Sequence, residues 1–441
     1  MDLGVGGRWQ HPLHRAGCRD DDESIYHQHP HGNAGKMSFQ IGAAEGIGGL
    51  VTAAWLGIAA HMLSIHQFGA LTLVLSLGSL VSLGTDLGVP LALAKVSCDN
   101  DKLDRGAVYS AISRRIIAGW VAAILLIFLW ANAGHAARWW LAGVYGVSVV
   151  VTTITSSALA ALRGRAIGVV EAAYQLISQV FLLVAGVVAL SLGLGVAGVV
   201  VAYAVTDSLA SILVPVYARR YLAVDAAIEP AERVALGLRA TLPLVTADVL
   251  GNAYERIDIW LLALLRGTAS VAFYVAAYKL YDSVLLPARA VAASAIAAAG
   301  RDVLHNGRAV AQKLLARTVL ITTAIAALAI AVAPLLLRLA FGSVYGRDKV
   351  TLTILLLSSI PGAALVVITP IILLCRRRLV VNWTAAGLAA NILANLLLVP
   401  TYGARGAATA FLVTETALLV VFWLNLPARV ADPPTIATPA A

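Results

Sequence analysis

Charge is what this 441-residue chain has least of. Asp, Glu, Lys and Arg make up 12% of it, where soluble domains carry about 25%. That shortage, with 60% hydrophobic residues and a mean hydropathy of +0.85, excludes an ordinary water-soluble domain. Cysteine is nearly absent too. Cys18, Cys98 and Cys375 have no C-x-x-C spacing, which excludes a disulfide framework and argues against a thiolate metal site. Nucleophile elbows, phosphate loops, H-E-x-x-H pairs and dinucleotide fingerprints are missing in any suitable setting. No stretch between apolar runs is long enough to hold an enzymatic domain. No enzyme, cofactor or metal centre is therefore expected.

What is present is apolar and continuous. Runs of about 20 residues match the length of helix that crosses a hydrocarbon core, and their continuity excludes the alternating pattern of a membrane barrel. Runs bounded by charge, Gly or Pro place twelve spans near 42–64, 69–93, 116–134, 139–162, 170–191, 196–218, 241–264, 270–298, 318–340, 351–374, 379–399 and 406–426. The expected fold is all-α and integral to the membrane.

The chain also repeats itself. Gly195 to Asp207 (GVAGVVVAYAVTD) and Gly403 to Glu415 (GARGAATAFLVTE) share G-x-x-G-x-x-x-A-[Y/F]-x-V-T-[D/E], 208 positions apart. A second echo relates Phe68–Leu75 to Val271–Tyr278 at nearly the same offset. The repeat maps the second span onto the eighth and the sixth onto the twelfth. Two six-helix lobes follow, around a central cavity, and a duplicated membrane bundle points to a transporter. The lobes are expected at 37–220 and 241–430, joined by a cytoplasmic linker at 221–240. Residues 1–36 are polar and hold five of the nine histidines. They read as a disordered leader or an early start before Met37, although a histidine-rich leader can bind metal. Residues 431–441 read as a disordered tail.

A net charge of +9 could suggest nucleic acid, but the basic residues lie in short clusters between spans rather than along one face. They report orientation instead. With the N-terminus inside, nineteen Lys and Arg fall in cytoplasmic segments and six in outer ones. Both termini are then cytoplasmic.

Several segments together resemble the Wzx-type polysaccharide flippases of the multidrug/oligosaccharidyl-lipid/polysaccharide exporter superfamily. His66 to Lys95 resembles the FG-x-x-x-L…D-LG-x-P segment of their second helix. In order along the chain follow Leu162-Arg163-Gly164, then Glu255-Arg256-Ile257-Asp258 with Phe273-Tyr274-x-x-Ala277-Tyr278. Phe341-Gly342-x-x-Tyr345 and Val399-Pro400-x-x-Gly403-x-x-Gly406-Ala407-Ala408 complete the set. The resemblance implies two lobes that rock about a central cavity in the bacterial cytoplasmic membrane. It implies as cargo an oligosaccharide repeat unit on undecaprenyl pyrophosphate, bound for a surface polysaccharide such as O-antigen, lipopolysaccharide or exopolysaccharide. Membrane lipids, a polysaccharide polymerase and chain-length machinery are the implied partners; nucleic acid is not among them. Rival readings are a drug/cation antiporter or a peptidoglycan-precursor flippase of the same superfamily, the latter usually with more than twelve spans. A membrane glycan polymerase or ligase would need a larger outer loop than 341–350.

A charge at mid-bilayer costs at least about 2.5 to 3.5 kcal/mol, so each one in a span needs a partner or a wet cavity. Span seven carries Asp248, Glu255, Arg256 and Asp258; span eight carries Lys279, Asp282 and Arg289. Arg256, Lys279 and Arg289 are candidates for a pyrophosphate or an acidic sugar. Alternatively, Arg256 and Lys279 neutralise Asp258 and Asp282, and Arg289 snorkels to headgroups. Asp86, Asp248, Glu255 and Asp258 are candidates for coupling to protons or another cation, since carboxylates withdrawn from water can exchange protons. Asp86 lies near a helix break, which also suits a structural role. Tyr274, Tyr278 and Tyr281 form a stripe suited either to sugar rings or to helix packing. Asp207 and Glu415, at one repeat position, suggest a shared lobe-packing or gating role.

The charge bias predicts that a single cysteine replacing Arg347 reacts with an impermeant maleimide in intact cells. One replacing Arg377 is expected to react only after permeabilisation. The opposite labelling pattern would invert the orientation.

Overall fold

A computed structural model describes residues 31–84, 89–90, 93, 102–131, 139–165, 167–218, 220, 223–225, 238–291 and 302–426. With no water at membrane depth, the backbone must satisfy its own polar groups, and continuous apolar runs do so as helices. The first half holds α1 (His31–Met62), α2 (Ile65–Gly84), α3 (Arg105–Trp130), α4 (Trp139–Gly164), α5 (Gly168–Ser191) and α6 (Gly195–Ala218). The second half holds α7 (Leu238–Arg266), α8 (Thr268–Val284), α9 (Asp302–Ala331), α10 (Ala333–Phe341), α11 (Lys349–Cys375), α12 (Arg377–Tyr402) and α13 (Ala404–Leu424). Within the described residues, eleven of the twelve predicted spans centre on one helix each and the ninth on two; 85–88, 91–92, 132–134 and 292–298 of the second, third and eighth spans lie outside them. Among the described residues, eight helices are long and apolar enough to cross a membrane by length and composition. The charge-bearing α7 and α8 are not among them.

Two features depart from the expected pattern. The ninth span, read as continuous over 318–340, is divided between α9 and α10. Pro334 sits in the first turn of α10, where its missing N–H costs nothing. Within one long helix it would remove a hydrogen bond and clash with the preceding turn, so the chain breaks at Val332 (φ −110°, ψ 15°). The second departure is a short parallel pair, β1 (Lys102–Asp104) with β2 (Ala223–Asp225), between the chain after α2 and the chain after α6. Outside the helices these backbone groups find partners in each other.

The packing repeats along with the sequence. In the first half α1 packs on α5, α3 on α4, α4 on α6 and α5 on α6; in the second, α7 packs on α12, α9 on α11, α11 on α13 and α12 on α13. These are equivalent pairs under the offset that relates the motifs. The fold is two six-span lobes around a central cavity. The lobes meet chiefly through α2, which packs on α8 and α7, and α1, which touches α8 and α10.

At the end bearing the α1–α2 and α7–α8 turns, the outer end under the charge bias, the lobes approach backbone to backbone. A Cβ on Gly69 would lie 1.9 Å from the Thr268 carbonyl oxygen, and one on Gly57 would lie 2.5 Å from that of Ala340. His66 Nδ1 is 3.5 Å from Thr268 Oγ1. Phe68 of α2 meets Phe341 and Tyr345 at ring separations of 6.3 and 5.9 Å, and Phe273 closes on Tyr345 at 5.4 Å. This end is sealed.

Cysteines replacing His66 and Thr268 are therefore expected to cross-link. Adding Gly69→Val, which forces a side chain into a carbonyl, should cost about 1 to 3 kcal/mol in the sealed state and suppress that cross-link. Cross-linking unchanged by Gly69→Val would show that the seal does not depend on this approach.

Candidate functional site

The charges of α7 and α8 gather in two places rather than one. Lys279 and Asp282 are three residues apart on α8, one helical turn, and form a 3.6 Å ion pair. Beyond the turn at Leu285 the chain coils again, bringing Arg289 Nη2 to 2.7 Å from Asp282 Oδ1. Glu255 of α7 lies within electrostatic reach of Arg289, Arg256, Asp282 and Lys279. All five are partly accessible rather than sealed. Arg256 forms no ion pair among the described residues. Among the described residues three cations thus face two carboxylates, and that group carries excess positive charge at membrane depth. That is tolerable only against a wet cavity or an anion.

Asp258 belongs to the second place. It is 0% exposed, and its hydrogen-bond partners are neutral. Tyr274 donates its hydroxyl to Oδ2 at 2.9 Å and Asn395 donates Nδ2 to Oδ1 at 2.7 Å. Asn395 Nδ2 is also 2.8 Å from Asn391 Oδ1, Asn391 Nδ2 reaches Thr414 Oγ1 at 3.3 Å, and the Tyr254 hydroxyl meets that Thr414 oxygen at 2.8 Å. Four helices, α7, α8, α12 and α13, are joined by one buried network. The alternative in which Arg256 neutralises Asp258 is not the arrangement present: two residues apart means about 200° around a helix. Arg256 is partly accessible while Asp258 is fully buried in the lobe.

The tyrosine stripe is also buried. Tyr274, Tyr278 and Tyr281 are 0%, 3% and 2% exposed. Tyr278 packs between its two neighbours at ring separations of 6.0 and 5.2 Å, and Tyr281 meets Phe411 edge-on at 5.6 Å. The Tyr281 hydroxyl donates to Glu415 Oε1 at 3.0 Å. These rings therefore offer no face to a sugar, and of the two readings of the stripe the packing geometry is the one present. Glu415 was not among the chemical candidates; its only sign in the sequence was the repeated T-[D/E]. Its repeat partner Asp207, on α6, accepts a hydrogen bond from Ser148 of α4. Asp86 lies outside the described residues. Asp248 lies on α7, with its side chain outside them. Among the described residues no three His, Cys, Asp or Glu converge to hold a metal ion.

The repeated lobes and the charged interior define an integral membrane protein of the transporter type of fold. Its structure is similar to that of "Lipid II flippase MurJ, inward closed conformation", with a TM-score of 0.71 and 12% identity, covering 87% of each chain. It is also similar to an outward-facing multidrug resistance MATE family transporter of the MOP superfamily, with a TM-score of 0.61 and 15% identity over 89% of this chain and 95% of that one. A MOP superfamily transporter from Pyrococcus furiosus, noted for the reverse polarity of its binding pocket, matches with a TM-score of 0.58 and 15% identity over 89% and 94%. No curated protein sequence matches the chain. A family model described as polysaccharide biosynthesis protein matches residues 35–299, more than half of the sequence, and the chain belongs to that family.

The Asp258 network makes a stability prediction. Asn395→Leu removes a donor from a buried carboxylate and should cost about 1 to 3 kcal/mol, read as a lower melting temperature of the purified protein. Arg256→Gln, outside the network, should leave that temperature near the wild-type value. Equal losses would mean that Arg256 is tied into the lobe after all.

Proposed function

We propose that this protein carries undecaprenyl-pyrophosphate-linked oligosaccharide repeat units across the bacterial cytoplasmic membrane by alternating access, for surface polysaccharide synthesis. The observation that carries the reading is Arg256, a cation on the cavity side with no ion-pair partner among the described residues, beside Lys279 and Arg289. An arginine fork and a lysine point charge suit the oxygens of a diphosphate. A cationic drug would be repelled by the same excess charge. Membership of the polysaccharide biosynthesis family supports a glycan-linked cargo, and likeness to a lipid II flippase supports a lipid-linked one.

Transport of this kind needs no covalent step, and the protein acts as a carrier rather than an enzyme. In the sealed form the outer ends of α2 and α8 touch. Rocking the lobes about their seam would part them and present the cavity to the other leaflet. Asp258 is the candidate for cation coupling, because a buried carboxylate with only neutral partners gains most from taking up a proton or another cation. A polymerase and chain-length machinery would take the product at the outer face.

Loss of one charge-assisted hydrogen bond is worth about 1.5 to 3 kcal/mol, or roughly tenfold to hundredfold in binding. Arg256→Gln is expected to reduce lipid-linked export by that factor with near-normal membrane abundance, since no buried partner is left stranded. Export at the wild-type rate, measured as surface polysaccharide against protein level, would remove the diphosphate from Arg256.

A further inference from the structure

We infer that the N-terminal lobe carries a subsite for the hydroxyl-rich saccharide part of the cargo, on a wall built by Tyr145, Tyr174, Gln175, Tyr203 and Asp207. This rests on the flippase reading and extends it to the half of the cavity that the charged cluster leaves unassigned.

The wall begins with α5. Its polar residues Glu171, Tyr174, Gln175, Ser178 and Gln179 recur at spacings of three and one, which places them on one helical face. The opposite face, with Val169, Ile177, Val180, Val184 and Val188, is exposed and apolar, as a lipid-facing surface should be. The polar stripe therefore looks inward. Part of it is committed locally: Arg163 bonds both carboxylate oxygens of Glu171, Thr52 donates to Gln179 Oε1 at 3.0 Å, and Ser178 donates to the Gln175 carbonyl oxygen at 3.1 Å. Gln175 Oε1 is not. It is buried with no hydrogen-bond partner. A buried polar atom of this kind normally has a partner, and one left open on an inward-facing stripe points to a group that arrives later.

The aromatic part comes from α4 and α6. Tyr145 and Tyr203 stand edge to face, 6.0 Å apart at 77°. Each is partly accessible, unlike the three tyrosines sealed in the other lobe. The Tyr145 ring rests on Gly78 of α2, where a Cβ would lie 1.8 Å from a ring carbon. That close approach fixes the ring plane. Asp207, steadied by Ser148, lies within electrostatic reach of Tyr145, Tyr174 and Tyr203, which brings α4, α5 and α6 to one place. Arg256 acts on Tyr145 from the opposite lobe, so the wall faces the basic cluster across the cavity.

The chemistry divides accordingly. Ring faces cover the apolar face of a pyranose, while a carboxylate, an amide and phenolic hydroxyls bond its edge. The negative charge of Asp207 disfavours a diphosphate on this side, and the excess of cations favours one on the other.

Binding to the purified full-length chain in nanodiscs tests the assignment with two probes, a polyprenyl diphosphate and the same lipid bearing a neutral oligosaccharide. Gln175→Leu and Asp207→Asn should each weaken the glycosylated lipid about tenfold, the worth of one lost hydrogen bond, and leave the sugar-free lipid unchanged. Gln175→Leu also replaces an unpartnered polar atom by an apolar one, so its melting temperature should not fall. Wild-type affinity of both variants for the glycosylated lipid, or equal weakening for both lipids, would overturn the saccharide assignment alone. A wild-type protein that binds neither lipid would overturn the flippase reading and this assignment with it.

Discussion

A carboxylate withdrawn from water at membrane depth must be met by fixed dipoles or by an opposite charge, and the second lobe is organised around the first solution. Asp258 takes its hydrogen bonds from Tyr274 and Asn395, one on α8 and one on α12. The bond from Tyr254 to Thr414 adds α13 to the same network. Removing any one of these partners leaves a polar atom unpaired in low dielectric, which costs more than the bond itself contributes. The orientation of α8 is therefore held from inside its lobe. Because Lys279 and Asp282 lie on another side of that helix, the geometry of the cavity surface depends on bonds hidden behind it.

The two lobes use one pattern to different ends. Asp207 and Glu415 occupy equivalent positions, each near the middle of its helix, and each faces an equivalent neighbour, α4 or α11. In the first lobe that neighbour supplies Ser148, which bonds the shorter aspartate. In the second it supplies Gly362, whose missing side chain leaves room for the longer glutamate: a Cβ there would lie 2.8 Å from Glu415 Oε1. Tyr281 then reaches in from α8 as the donor. Duplication fixed where an acid sits, and later divergence fixed what it touches. One lobe kept its tyrosines partly open, while the other folded them into its core.

The fold was largely legible because an apolar run of membrane length has few structural solutions, and charge at the ends of those runs adds direction. The break at Pro334 was missed for a local reason: the flanking residues are apolar on both sides, and hydropathy does not register a missing N–H. The site was legible only in part. Counting charges in spans seven and eight pointed to α7 and α8, but a hydrogen-bond partner of Asp258 is Asn395, 137 residues away. Helix rotation, set by such distant contacts, decided which charge faced the cavity. The stripe Tyr274, Tyr278 and Tyr281 has the same period whether it lines a cavity or a core, so spacing alone could not separate the two. The polar face of α5 is present in the sequence as glutamine, serine and tyrosine at helical spacing, but it carries little formal charge and so stands out less than the clusters of spans seven and eight.

The seal at the end of α2 has a further consequence. Where Gly69 meets Thr268 and Gly57 meets Ala340, the contact is made by main chain, with no side chain on the glycine side. Ordering a long side chain costs up to about 1.5 to 2 kcal/mol of conformational entropy, and a backbone contact avoids that term. It also forms the same way whichever rotamers surround it. The main-chain contacts thus add little to the depth of the closure beyond the rings of Phe68, Phe273, Phe341 and Tyr345 beside them, and less of the driving force of an alternating cycle is spent on parting them.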